Sequence, residues 1–101
     1  MGNTRQAATS KVRGVVWSPR ALVDLAAIEG YVASFNPLAA RALADRLISA
    51  ANGLVEFPER GVPASRGTRH LTIVRPYLIR YRVRADRIEI VTIRHGARRP
   101  L

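Results

Sequence analysis

The hydrophobic period of this chain changes once along its length, and that change confines it to few folds. Between residues 18 and 57 apolar side chains recur every three or four positions, the spacing of helices with one buried stripe. Between residues 70 and 95 they alternate with polar ones, as in strands with one covered face. Helices followed by strands predict an α+β arrangement, with the helices packed on one face of an antiparallel sheet. With 101 residues there is material for one domain and one modest core. That domain is expected over 13–101, behind a flexible basic tail at 1–12.

Val15, Val16 and Trp17 form a short apolar run that predicts a first strand. Ser18 and Pro19 follow as a helix start, serine capping the free amides and proline fixing φ in the first turn. Leu22, Leu25, Ile28, Val32 and Phe35 then make one stripe, so the first helix is expected to bury these and to end near Ser34. Asn36 and Pro37 restart the same pattern, with Ala40, Leu43, Leu47, Ala50 or Ala51, Leu54 and Phe57 as the buried side and Pro58 as the stop. Alanines at 39, 40, 42, 44, 50 and 51 allow the two helices to approach closely as a hairpin. Residues 59–67, with two glycines and a proline, read as a loop.

Three strands are expected at 70–74, 77–84 and 87–95, joined at Pro76 and by a tight turn at Ala85 and Asp86 into a meander. In the middle strand Tyr77, Ile79, Tyr81 and Val83 share one face, and Leu78, Arg80, Arg82 and Arg84 share the other. The helices should cover the first face and leave the arginines outward. In the last strand Ile88 and Ile90 differ in parity from Val91 and Ile93, which requires either a bulge or cover on both sides.

The formal net charge is +10, and it is concentrated at one end. Arg66, Arg69, Arg75, Arg80, Arg82, Arg84, Arg87, Arg94, Arg98 and Arg99 face only Asp86 and Glu89, whereas residues 18–57 are close to neutral. A strand-borne basic face repels itself until something negative covers it, which implies a polyanion or an acidic protein as partner. Lys11 is the only lysine, and guanidinium forks grip phosphate and carboxylate at two points. GC-rich coding accounts for arginine over lysine but not for its crowding. Cysteine is absent, which excludes disulfides and thiolate chemistry and agrees with a cytoplasmic home. No stretch nears the roughly 18 apolar residues of a membrane helix, and the start lacks a secretory apolar run.

Taken in order, these residues resemble toxins of the RelE/ParE superfamily, from bacterial type II toxin–antitoxin modules. The resemblance runs from Val15 to Arg99. It is carried by Trp17, Ser18, Pro19, Ala21, Asp24, Leu25, Ile28 and Tyr31; by Asn36, Pro37, Ala39, Ala40, Leu54, Phe57, Pro58 and Gly61; and by Gly67, Thr68, Arg69, Leu71, Tyr77, Ile79, Tyr81, Arg82, Val83, His95 and Gly96. The superfamily contains a branch that cuts messenger RNA in the ribosomal A site and a ParE-like branch that traps DNA gyrase on cleaved DNA.

The ribonuclease branch usually opens the penultimate strand with an aromatic residue followed by an arginine for the scissile phosphate. Here Leu78 follows Tyr77. That branch also carries basic residues near positions 70 and 72, an arginine near 96 and a later tyrosine or histidine as acid; this chain has His70, Thr72 and Gly96 and no later tyrosine. Metal-free phosphodiester cleavage needs groups to activate the nucleophile, hold the phosphorane charge and protonate the leaving oxygen. His95 is the remaining acid–base candidate, with Arg80 and Arg82 as its partners if the chain is a ribonuclease, although a lone strand-end histidine is more often structural. Asp24, Glu29, Glu56 and Glu59 read as solvated charges.

The ParE-like branch is the better match. The resemblance then implies a binding poison of gyrase with no chemistry of its own, contacting its target through Arg80, Arg82, Arg84, Arg94, His95, Arg98 and Arg99. It also implies a cognate, ParD-like antitoxin whose acidic C-terminal segment packs near Leu22, Leu25 and Leu47 and crosses the sheet by Arg69 and Arg82. No cofactor and no metal site is expected. The alternatives are a ribosome-dependent endonuclease acting on messenger RNA and a basic nucleic-acid-binding domain without toxicity. The latter would want exposed aromatics for stacking, and Tyr77 and Tyr81 share the core-facing parity.

Overall fold

The computed structural model describes residues 13–96, so the expected tail and the Arg98–Arg99 pair lie outside the described residues. The chain runs β1 (Val15–Trp17), α1 (Pro19–Ala33), α2 (Pro37–Asn52), β2 (Val62–Pro63), β3 (Arg69–Leu71), β4 (Tyr77–Val83) and β5 (Ile88–His95). A single five-stranded sheet has the order β1-β5-β4-β3-β2. The helix hairpin packs on one face, and the architecture is α+β as the change of period predicts.

Both helix starts follow from their caps. The Ser18 hydroxyl accepts the Ala21 N–H at 3.0 Å and donates to the Val91 carbonyl at 2.9 Å, so one side chain begins α1 and fastens it to β5. The Asn36 side chain accepts the Ala39 N–H at 3.0 Å, with Pro37 in the first turn of α2. Ala21, Ala40, Ala44, Ala50 and Ala51 are buried, as a close-packed hairpin requires. A short 3₁₀ turn, Gly53–Val55, seats Leu54 in the core.

β1 pairs with β5 in parallel, placing Val15 opposite Ile88 and Trp17 opposite Ile90. The other pairings are antiparallel. The parity conflict in the last strand is resolved by a bulge: Arg80 stands opposite Thr92 and Tyr81 opposite Ile90, leaving Val91 as the extra residue. The bulge lets Ile88, Ile90 and Ile93 all be buried, and they join Leu47, Leu54, Leu71, Ile79 and Tyr81 in the core.

Several expectations need correction. Leu22, Phe35 and Phe57 were placed on buried stripes but are 53%, 74% and 61% exposed, because the hairpin covers the sheet with only part of each apolar stripe. The segment 59–67 is not only loop, since β2 adds an edge strand to β3 and Ser65–Gly67 forms a 3₁₀ turn. Arg66, at φ 58°, and Gly67, at φ 71°, both sit in the left-handed region within that turn. The strand expected at 70–74 is Arg69–Leu71 alone.

Candidate functional site

The face of the sheet away from the helices is built by alternation. His70 on β3 stands opposite Arg80 on β4, Leu78 opposite Arg94 on β5, and Arg82 opposite Glu89. Paired residues share a face, so the register collects His70, Arg80, Arg82, Glu89 and Arg94 on one surface. His70, Arg80, Arg82 and Arg94 are each half-buried.

The charges on this surface divide into two groups. Glu89 lies 3.6 Å from Arg82 and 3.3 Å from Arg84, one carboxylate bridging two guanidiniums. Arg82 also donates to the Arg66 carbonyl at 3.5 Å. Arg80 instead donates its Nε–H to His70 Nε2 at 3.1 Å, which makes that nitrogen an acceptor and the imidazole neutral. Burial, then the nearby charges of Arg80 and Arg94, hold the His70 pKa below its ordinary value. From sequence His70 stands only as a departure from the ribonuclease pattern; the register of β3 on β4, which sets it opposite Arg80, is what brings it to this surface.

His95 is placed differently from the expectation. It stands opposite Tyr77, on the face shared by Ile79 and Tyr81, and its ring meets Tyr77 edge-on with centroids 5.5 Å apart. Its Nδ1 is buried with no hydrogen-bond partner among the described residues. The set His95, Arg80 and Arg82 is therefore not brought together, because the alternation of β4 and β5 sends the histidine and the arginines to opposite faces. A groove of about 360 Å³ beside Tyr77 is lined by Thr72, Arg75, Pro76, Leu78 and Gly96.

Three other expected contacts stand as follows. Arg69 donates to the carbonyls of Gly61 at 3.0 Å and Glu59 at 3.3 Å, so its guanidinium fastens the segment before β2. Leu25 is half-buried against the core. Leu47, expected to meet an antitoxin, is 0% exposed; its side chain is core and offers no surface to a partner.

Asp24, read from sequence as a solvated charge, is a fastening point between α1 and β5. Its Oδ2 accepts the Thr92 hydroxyl at 2.5 Å and the Ile93 N–H at 3.0 Å, and its Oδ1 meets Arg20 at 3.1 Å. Burial raises its pKa, but the bonds from Thr92, Ile93 and Arg20 outweigh that and leave it below the ordinary carboxylate value. Among the described residues no three histidine or acidic side chains are grouped to hold a metal ion, and no helix is long and apolar enough to cross a membrane.

A helix hairpin on a five-stranded sheet with an outward arginine face defines the class, and comparison with known proteins gives the family. The model of the ParE toxin of type II toxin–antitoxin systems (parDE) matches residues 15–100. The chain belongs to this toxin family. It is 52% identical over 84 residues to Toxin RelE2 of Caulobacter vibrioides, covering 83% of this chain and 96% of that protein. It is 37% identical over 82 residues to Putative toxin Y4kP of Sinorhizobium fredii, covering 79% and 84%. Among solved structures, the chromosomal ParDE TA system from P. aeruginosa contains a similar chain, with TM-score 0.74 and 27% identity over 85% of this chain and 98% of that one.

Proposed function

We propose that this type II toxin acts in the cytoplasm by binding DNA gyrase rather than by cutting RNA, and that a cognate antitoxin neutralises it. The observation that carries the reading is the separation of His95, the acid–base residue expected from the ribonuclease pattern, from the arginines expected to work with it: His95 lies on one face of the sheet, Arg80 and Arg82 on the other. Cleavage needs its acid, its base and its phosphate clamp within reach of the same phosphate. Leu78, opposite Arg94, stands where the ribonuclease branch has its phosphate-binding arginine.

Binding is what the remaining face suits. Arg80, Arg82, Arg84 and Arg94 form the candidate target surface, continued by Arg98 and Arg99 in sequence. The antitoxin is expected to use the exposed edge of the hairpin at Leu22 beside half-buried Leu25, and to send an acidic segment across the sheet. Purified toxin should abolish gyrase supercoiling or accumulate linear DNA while leaving ribosome-programmed messenger RNA intact. Cut messenger RNA with unaffected gyrase would sink this reading.

A further inference from the structure

The open sheet face repeats one charge pattern with two different centres. Where Arg82 and Arg84 converge, Glu89 lies between them. Where Arg80 lies, the neighbouring group is the imidazole of His70, whose pKa the charge of Arg94 on the same face also lowers. All seven acidic side chains of the protein fall among the described residues, and none comes within 4.0 Å of Arg80 or Arg94. Two half-buried guanidiniums without an acid present N–H donors suited to a planar oxyanion.

We infer that His70, Arg80 and Arg94 form a carboxylate-binding site, and that its occupant is an acidic side chain of a partner peptide. The proposal deepens the antitoxin reading above and rests on it for the source of that peptide. Glu89 supplies the precedent on the same face. Nucleic acid is the weaker match, because single-stranded sites add aromatic rings for stacking, and Tyr77 and Tyr81 belong to the opposite face.

The site is linked to a proton. In the free protein burial, and then the charges of Arg80 and Arg94, hold the His70 pKa down, with Nε2 accepting from Arg80. On its other side β2 contributes Val62 and Pro63, neither of them charged. A carboxylate between Arg80 and Arg94 cancels part of their field, so His70 takes a proton from solvent and Nε2 turns from acceptor to donor toward the carboxylate. Binding therefore tightens as pH falls through the interval between the free and occupied His70 pKa values.

The test is an NMR pH titration of the His70 imidazole in the full chain, free and with hexaglutamate or hexathymidylate as probes. Hexaglutamate should raise the titration midpoint and bind severalfold more tightly near pH 6 than near pH 8, across the ordinary imidazole value of about 6.5. Arg80→Gln and Arg94→Gln should each abolish the shift; His70→Gln should weaken binding near pH 6 to the level seen near pH 8 and so lose its pH dependence. Arg41→Gln, on the exposed side of α2, should change nothing. Retained amide dispersion certifies that each variant folds. A His70 midpoint unmoved by hexaglutamate overturns the site, and tighter binding of hexathymidylate at matched ionic strength overturns the acidic-peptide occupant in favour of a phosphodiester. The readout is independent of gyrase, so either proposal can fail alone.

Discussion

Tyr81 and Gly61 are locked against each other at the bottom of the core. The Tyr81 hydroxyl accepts the Gly61 N–H at 2.9 Å and donates to the Pro58 carbonyl at 2.7 Å, while the ring is fully buried. A Cβ on Gly61 would lie 2.7 Å from the His70 carbonyl and 2.8 Å from the tyrosine ring and hydroxyl. Gly61→Ala should therefore cost about 1–3 kcal/mol through overpacking. Tyr81→Phe should cost about 1–3 kcal/mol by leaving a buried donor and acceptor unpaired. The double variant should lose less than the sum, since removing the hydroxyl relieves one of the clashes. Urea unfolding of the three variants checks both the size and the non-additivity.

The Asp24 anchor makes a pH prediction with a definite sign. Its folded pKa lies below the unfolded one, so its contribution is fully present above the unfolded value and is lost as pH falls through the folded value. Thermal midpoints should decline below about pH 4, the ordinary aspartate range. Asp24→Asn keeps the shape but weakens the bonds to Thr92 and Ile93, so it should cost about 1–3 kcal/mol at neutral pH and flatten the acid decline. An unchanged acid limb in Asp24→Asn would contradict the anchoring role.

Much of this fold is legible in the sequence because single residues mark its boundaries: Ser18 with Pro19, Asn36 with Pro37, and the parity break at Val91. What was not legible is long-range. The parallel pairing of β1 with β5 brings together residues some seventy positions apart, and nothing in the local spacing of Val15 to Trp17 names that partner. Asp24 looked solvated because a helical carboxylate beside Arg20 has the i, i+4 pattern of a surface pair; the amide it satisfies belongs to β5. Of the site, the outward alternation of Arg80 and Arg82 was readable. The placement of His95 was open, since the parity break allowed either a bulge or cover on both sides, and it is the bulge between Ile90 and Thr92 that turns the histidine to the opposite face.

His70 titrates with the opposite charge sign but the same slope. Its folded pKa is lowered by burial and by Arg80 and Arg94, so just below the ordinary value of about 6.5 the unfolded chain holds a proton that the folded one lacks. Stability should rise with pH across that window and be lower on its acid side. Urea midpoints measured from about pH 5 to about pH 8 should show this rise in the native sequence and lose it in His70→Gln. Persistence of the full slope in His70→Gln would assign it to another group.

Leu22 and Leu47 look alike in the helical pattern and should behave as opposites. Leu47 is fully buried, so Leu47→Ala leaves a cavity and should cost about 2–5 kcal/mol. Leu22 is 53% exposed on α1, so Leu22→Ser should change stability by no more than about 0.5 kcal/mol. If the antitoxin packs on the hairpin edge, Leu22→Ser should nevertheless weaken complex formation and release growth inhibition in cells that express both proteins. Chemical denaturation of the free toxin and calorimetric titration with the antitoxin separate the two effects. Wild-type affinity in Leu22→Ser would move the antitoxin off this edge and leave the basic sheet as its remaining candidate surface.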